Sequence, residues 1–338
     1  MAKQPEHFLV LGAGSFGTAL AIYLAKQLHH VVLWSHHADE VEKMQSARLN
    51  AHYLPGFSFP PTLSVKASLD EAFDEVGEKA KILIVVPSYA FADVILQIKP
   101  YLGPKMGLLW ATKGLTQDGQ FLHTVCQKHC AHVPLGILSG PSFAKEVAMG
   151  LPTAVSIATD TPSFGEQLLQ AFHSDTFRIY LSQDLIGVQL GGVVKNVLAI
   201  AVGMSDGLGF GANARAALIT RGFAELCRLG KVLGAQLPTL MGLSGMGDIV
   251  LTCTDNQSRN RRFGLALGEG RNIIEAEKAI GQVVEGKTNA KQVLALARKM
   301  GIEMPICEQV NAVLHENVTP AQAVANLMSR SPKSETFN

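Results

Sequence analysis

The chain has 338 residues, enough for two domains, since single hydrophobic cores stop growing near roughly 250–300 residues. Hydrophobic residues make up 47% and charged residues 17%, a balance that excludes intrinsic disorder and suits a well-packed enzyme. The 29 basic and 28 acidic residues leave a net charge of +1, which argues against a general nucleic-acid or membrane-surface binder.

Taken in chain order, the apolar run His7–Leu11 reads as a buried parallel strand. Gly12-Ala13-Gly14-Ser15-Phe16-Gly17 follows at once, and then Leu20, Tyr23, Leu24 and Leu28 recur at helical spacing. A G-x-G-x-x-G turn in that setting implies a dinucleotide whose pyrophosphate rests on the helix N-terminal amides, each glycine serving the turn, the phosphate approach or the helix–strand contact. The second strand, Val31–Trp34, ends in Ser35-His36-His37. An NAD-selective fold usually offers an acid about 20 residues after the glycines. Here the first acid, Asp39, comes too late and opens the next helix. Without a carboxylate to repel a 2′-phosphate, and with His36 able to meet one, the cofactor is read as NADP or NAD, NADP being favoured.

Leu54-Pro55-Gly56 and Pro60-Pro61 mark a turn-rich stretch without periodicity. Strands then recur at Ile82–Val86, Leu108–Thr112 and Gly136–Ser139 with helical patterns between them, the mark of a doubly wound parallel sheet. Thr153–Ala158 and Phe177–Leu181 are expected to extend it at the edge. Ligands bind beyond the carboxyl ends of such strands, which singles out Lys113-Gly114 and Gly140-Pro141-Ser142. From about Ser182 onward the pattern is helical. The division expected is a dinucleotide-binding domain over 1–182, an all-helical substrate domain over 183–330 and a frayed polar tail over 331–338. No leader pattern precedes the first strand, and no apolar run is read as approaching the roughly 20 residues of a membrane span. A cytoplasmic protein without membrane insertion is therefore expected.

Five cysteines, odd in number and scattered, suit reduced thiols. His123, Cys126 and Cys130 would share a helical face, with His129 and His132 nearby. Lacking paired CxxC or HxxxH spacing, they are read as ordinary helix residues and no metal is expected. Lys113, at a strand end, offers a cation to an anionic or carbonyl substrate. Lys195 lies in Gly191-Gly192-Val193-Val194-Lys195-Asn196-Val197-Leu198, apolar on every helical face. A buried lysine driven toward the neutral form by desolvation is poised as a general acid/base, the alternatives being an end that snorkels to water or a structural ion pair with an acid such as Asp248. Leu243-Ser244-Gly245-Met246-Gly247-Asp248, Thr252-Cys253-Thr254 and Ser258-Arg259-Asn260-Arg261-Arg262 form the densest polar patch. Its arginines suit bidentate phosphate recognition, although Arg261 and Arg262 also fit a solvated helix end.

The sequence GAGSFGTA, with ATKGL, SGPSFAKEV, GGVVKNVLAIAVGM, LSGMGD and SRNRRFG in that order, resembles the bacterial-type NAD(P)-dependent glycerol-3-phosphate dehydrogenases from residue 8 to about 325. The resemblance implies a Rossmann domain joined to an all-α domain of the 6-phosphogluconate-dehydrogenase type. It implies interconversion of sn-glycerol 3-phosphate and dihydroxyacetone phosphate, feeding glycerophospholipid synthesis, and a homodimer is expected. Lys195 would be the general acid/base, with Lys113 and Asp248 beside it in catalysis. Gly140, Ser142, Ser258, Arg259 and Asn260 would join these three around the substrate. The cofactor contacts would be Ser15, Phe16, His36, Lys113, Ala144, Arg259, Val283 and Glu285, together with Gly12, Gly14 and Gly17. Phe16 stands where the family commonly has tryptophan or tyrosine, and Ser35-His36 where many relatives have arginine. A β-hydroxyacid or 6-phosphogluconate-type dehydrogenase, or a cofactor sensor, would share the architecture but explains SRNRR, or the two lysines, less well.

Overall fold

A computed structural model describes residues 4–331, so all but the first residue of the polar tail lies outside the described residues. The chain forms two compact units, one running through Thr116 and resuming over Gln120–Leu185, the other comprising Gln117–Gly119 and the residues from Ile186 onward.

The first unit is built on eight strands: β1 (His7–Leu11), β2 (His30–Trp34), β3 (Leu63–Lys66), β4 (Lys81–Ile84), β5 (Gly107–Trp110), β6 (Leu135–Ser139), β7 (Thr153–Thr159) and β8 (Phe177–Ser182). Their order is β3-β2-β1-β4-β5-β6-β7-β8. The first six run parallel, β7 is antiparallel to β6, and β8 is parallel to β7. Residues Phe8–Leu11 and Ile82–Ile84 are fully buried, as strands covered on both faces must be. Chain order reverses between β1 and β4, the switch point at which such sheets bind ligands. The pattern after Pro61 gave no strand, yet β3 forms there. It has only four residues and alternates buried Leu63 and Val65 with half-exposed neighbours, too short a signal to rise above the prolines. Leu28, expected on the first helix, lies beyond its end at Lys26 with a positive φ and is exposed.

In the second unit all the described elements are helical. Its central helix, Leu185–Gly207, corrects the expectation about apolar runs: by length and composition it could cross a membrane, but 94% of its apolar window is buried inside the fold. The helix Arg259–Gly268 crosses it backbone against backbone. A Cβ added at Gly203 would lie 2.2 Å from the Arg261 carbonyl oxygen, one at Gly207 2.3 Å from that of Leu265, and one at Gly264 2.2 Å from that of Ile200. Further along, buried Glu225 of helix Ala212–Leu233 accepts the N–H groups of Ile306 (2.7 Å) and Cys307 (3.3 Å), capping helix Pro305–His315 from outside. Burial pushes its carboxyl up from 4.5 to about 7 against the pull of those donors and of Arg228.

Gly264→Ala should therefore destabilise the protein by roughly 1–3 kcal/mol, since backbone cannot give way, in denaturant titration. Gly103→Ala, with nothing within 4 Å of its Cβ, should change stability by less than about 1 kcal/mol. For Glu225 the folded state holds its proton to about pH 7 while the unfolded chain releases it near 4.5. Its contribution is thus full below 4.5 and is lost as pH rises toward 7. Wild type should lose stability relative to Glu225→Gln from pH 5 to 7 and track it above 7.5; the opposite trend would show that the carboxyl is ionised as folded.

Candidate active site

In the first unit the glycine turn is set by close contacts. Gly12 has φ +115° and donates its N–H to the Trp34 carbonyl at 3.0 Å; a Cβ there would lie 2.4 Å from the Val85 carbonyl oxygen. A Cβ on Gly17 would lie 1.9 Å from the Gly12 carbonyl oxygen, whereas one on Gly14 would meet nothing within 4 Å. The turn is thus closed against protein at its first and third glycines and open above the second. That open side faces the N-terminus of helix Ser15–Lys26, which has no capping side chain and no acid in its first turn. A diphosphate fits these features: it can approach the backbone at Gly14 and take the unsatisfied amides of the first helical turn. Buried Asn50 ties the turn down, donating to the Ala13 carbonyl (2.8 Å) and the Thr18 hydroxyl (2.9 Å). The Ser15 hydroxyl donates to the Tyr53 carbonyl at 2.7 Å. Asn50 and Tyr53 were missed from sequence, because they sit in the turn-rich stretch where no pattern points to them.

Lys113, just past β5, is half-buried, with Nζ 3.4 Å from the Gly140 carbonyl oxygen and 6.0 Å from the centre of the Phe16 ring. Ser142 donates its hydroxyl to the same carbonyl at 3.0 Å. Gly140 has φ +144°, and a Cβ there would lie 3.0 Å from Val155 Cα, so only glycine suits this corner. Ala144 opens the short helix Ala144–Met149 immediately after it. The structure thus gathers Phe16, Lys113, Gly140 and Ser142. His36 lies just past the end of β2, exposed and in contact with the His37 ring, the two planes tilted by 41°.

In the second unit Lys195 is 7% exposed. Its ammonium donates to Asp248 Oδ1 at 2.6 Å and to the Thr252 hydroxyl at 3.1 Å, and that hydroxyl donates in turn to Asp248 at 3.3 Å. Gly191 makes this possible. It lies one turn before Lys195 on the same helical face, and a Cβ there would lie 2.3 Å from the Ser244 carbonyl oxygen. The π-helical turn Leu243–Gly247 therefore packs on bare backbone and delivers Asp248, first residue of helix Asp248–Thr254, to the lysine. Thr252 was seen in the polar patch but not chosen; its spacing of four from Asp248 on a short helix was the available signal. Beside the pair, burial pushes the Cys253 thiol up to about 12, which leaves it unreactive.

The SRNRR segment divides by partner. Ser258 is the N-cap of helix Arg259–Gly268, its hydroxyl accepting from the Arg261 N–H at 3.2 Å. Arg261 is not solvated, as its place near a helix end had suggested. It is buried and ion-paired to Asp206, which also takes a bidentate Arg215 at 3.1–3.2 Å. Arg262 is exposed. Arg259 is half-buried and reaches the Gln282 side-chain oxygen at 3.3 Å, so it is the arginine of the three held in place by a neutral group. Buried Asn260 donates to Asn196 (2.9 Å) and accepts from the Gly286 N–H (2.9 Å), and Asn196 donates to Asn289 (2.9 Å), which donates to Gln292 (3.0 Å). This amide relay links the arginine helix, the lysine helix and the start of helix Glu285–Lys299, near which Val283 is exposed. Asn289 and Gln292 carried no motif and were missed. Among the described residues no cluster of His, Cys, Asp or Glu could hold a metal, and Cys126 and Cys130 are buried free thiols.

Comparison with known proteins places the chain. Residues 8–165 match the model of the N-terminal part of NAD-dependent glycerol-3-phosphate dehydrogenase and residues 184–325 that of its C-terminal part. A glycerol-3-phosphate dehydrogenase [NAD(P)+] of Shewanella frigidimarina is 52% identical over 331 residues, 97% of each chain. The crystal structure of glycerol-3-phosphate dehydrogenase from Coxiella burnetii superposes with a TM-score of 0.93 at 52% identity, covering 96% of this chain and 99% of that one. That of the Saccharomyces cerevisiae enzyme does so at 0.82 with 23% identity, covering 97% and 100%, and so shares the fold. Matched along both of its units, the chain belongs to the NAD-dependent glycerol-3-phosphate dehydrogenase family.

Proposed function

We propose that the protein interconverts dihydroxyacetone phosphate and sn-glycerol 3-phosphate with NAD(P)(H), supplying glycerol 3-phosphate for glycerophospholipid synthesis. The observation that carries this reading is the buried ammonium of Lys195, 2.6 Å from Asp248 and 3.1 Å from Thr252, in a chain of this family. Bound at the Gly12–Gly17 turn, the dinucleotide supplies the hydride for C2 of the substrate. The remaining requirements fall on side chains. Lys195 Nζ donates a proton to the C2 oxygen as the carbonyl is reduced, and takes it back in the reverse direction. Asp248 is its counter-charge and aims it, with Thr252 holding both. Arg259 takes the phosphate at the N-terminus of its helix, where the dipole also favours an anion. Ser258 and Asn260, through the cap and the amide relay, hold Arg259 in register.

On the cofactor side, Lys113, Ser142 and Ala144 belong with Phe16 around the nicotinamide in this reading, Val283 and Glu285 add contacts next to Arg259, and His36 lies toward the adenosine. The enzyme works as a homodimer in the cytoplasm. Five buried free thiols suit a reducing compartment, and exposed Leu237 and Met241, at 54% and 62%, support self-association.

Oxidation of NADPH and NADH with dihydroxyacetone phosphate, followed by absorbance, is the direct test. Lys195→Met should lower turnover by about 10³-fold or more while NADPH binding persists. Arg259→Met should raise the KM for dihydroxyacetone phosphate by about 10–100-fold, the worth of a charge-assisted hydrogen bond. A Lys195→Met protein that turns over normally would remove the lysine from the chemistry. A folded wild type that binds dinucleotide without turnover would sink the assignment.

A further inference from the structure

Of the three arginines that follow Ser258, one turns inward. Arg261 meets Asp206, in the last turn of helix Leu185–Gly207, and the two side chains are only 8% and 7% exposed. Among the described residues Arg261 Nε makes no hydrogen bond, so the hold on this guanidinium rests on that carboxylate. A third element grips Asp206 as well. Arg215, in the first turn of helix Ala212–Leu233, donates from Nε to both carboxylate oxygens at 3.2 Å and from Nη2 to Oδ1 at 3.1 Å. A carboxylate in the last turn of a helix opposes the helix dipole, so nothing in helix Leu185–Gly207 itself favours one there. What it gains in that place is the pair of guanidiniums it joins.

We propose that Asp206 is a positioning residue for the phosphate grip: by holding Arg261 it sets where Arg259 stands. This rests on the dehydrogenase reading and names the group that fixes the geometry of Arg259. Helices Leu185–Gly207 and Arg259–Gly268 touch through Gly203, Gly207, Gly264 and Gly268, where a Cβ would lie 2.2–2.3 Å from a facing carbonyl oxygen. That contact fixes how far apart the helices lie, but rows of glycine offer no ridge to stop one from sliding or turning on the other. The stops are polar. Asn260 donates to Asn196 at 2.9 Å, and Arg261 meets Asp206. Asn196 and Asp206 are separated by about 15 Å of helix at 1.5 Å per residue, and they hold the two residues directly after Arg259. Ser258 completes the arrangement, its hydroxyl accepting the Arg261 N–H at 3.2 Å. With the Asp206 stop removed, the first turn can rotate about the Asn260 anchor, and the long side chain of Arg259 moves furthest. Lys195, three turns before Asp206 on the same helix, keeps its own partners Asp248 and Thr252. The loss therefore falls on substrate affinity and spares proton transfer.

The experiment is steady-state kinetics of the whole protein with dihydroxyacetone phosphate, with inorganic phosphate as competing anion, alongside NADPH binding and denaturant stability. Asp206→Asn should raise the KM for dihydroxyacetone phosphate and the Ki for inorganic phosphate together, by about tenfold or more. Turnover should change by less than about threefold, and NADPH affinity should stay as it is. Asp206→Glu, which keeps the charge but displaces it by a methylene, should recover part of the loss and still raise both constants by about threefold. It carries the test alone if the amide variant does not fold. Arg261→Met should match Asp206→Asn, and the double variant should be no worse than either, because both break one contact. Folded variants that lose stability but keep KM and Ki within about twofold of wild type overturn the proposal, as does a fall in turnover with KM unaltered. Effects at Asp206 and Arg261 that simply multiply also overturn it, and each of these outcomes leaves the dehydrogenase reading standing. A folded wild type without turnover on dihydroxyacetone phosphate overturns both.

Discussion

A lysine ammonium in the middle of a helix buried on nearly every face is the constraint around which the helical unit is arranged. Lys195 cannot extend its stem to water, and an uncompensated charge in that position would cost several kcal/mol. Asp248 supplies the compensation, and the fold delivers it through two unusual local choices: a glycine on the lysine's own face and a π-helical turn lying on that bare backbone. Breaking the pair by removing one partner costs about 3–5 kcal/mol in comparable buried sites. Charge compensation and stability are therefore entangled at this point, and the electrostatics of the pair cannot be altered without disturbing the helix that carries it. The same helix meets the arginine helix through glycines, so Arg259 and Lys195 sit on elements whose separation is set by backbone contact rather than by side chains that could repack.

The sheet unit solves a different problem. Its glycine turn must be rigid yet leave its amides open to a ligand. Rigidity comes from backbone contact at Gly12 and Gly17 and from the Asn50 amide, while Gly14 stays clear. The polar groups that position the turn are thus different from those it offers. A dinucleotide bound there would meet donors whose geometry is already set, which would limit the ordering cost of binding.

Much of this was legible in the chain because strong local signals coincide with function. The strand–glycine–helix order marked the turn that forms over Gly12–Gly17, and of the readings open for a lysine in apolar surroundings, desolvated, snorkelling or paired with Asp248, the structure shows the pair. What escaped was either short or long-range. β3 has four residues, and their alternation is drowned by prolines. Asn50, Asn289 and Gln292 act through bonds to residues 32 to 93 positions away or through partners that make such bonds, and a polar residue in a loop or on a helix looks the same whether its amide meets water or Asn196. Arg261 was open to misreading for the same reason: only its burial against Asp206 separates it from Arg259, two residues before.

The reversal of direction between β6 and β7 divides the sheet's two ends into unequal territories. The carboxyl ends of β1, β2, β5 and β6 lead into the glycine turn, His36, Lys113 and Gly140, whereas β7 and β8 run the other way and finish at the opposite edge. The connection leaving β7 at Asp160–Pro162 is surface chain remote from that crowded rim, with Asp160 and Pro162 exposed. Lengthening an exposed loop costs only slowly growing closure entropy. This corner is accordingly the natural place to graft a fluorophore or an affinity handle, where an added segment would leave the cofactor turn as it is.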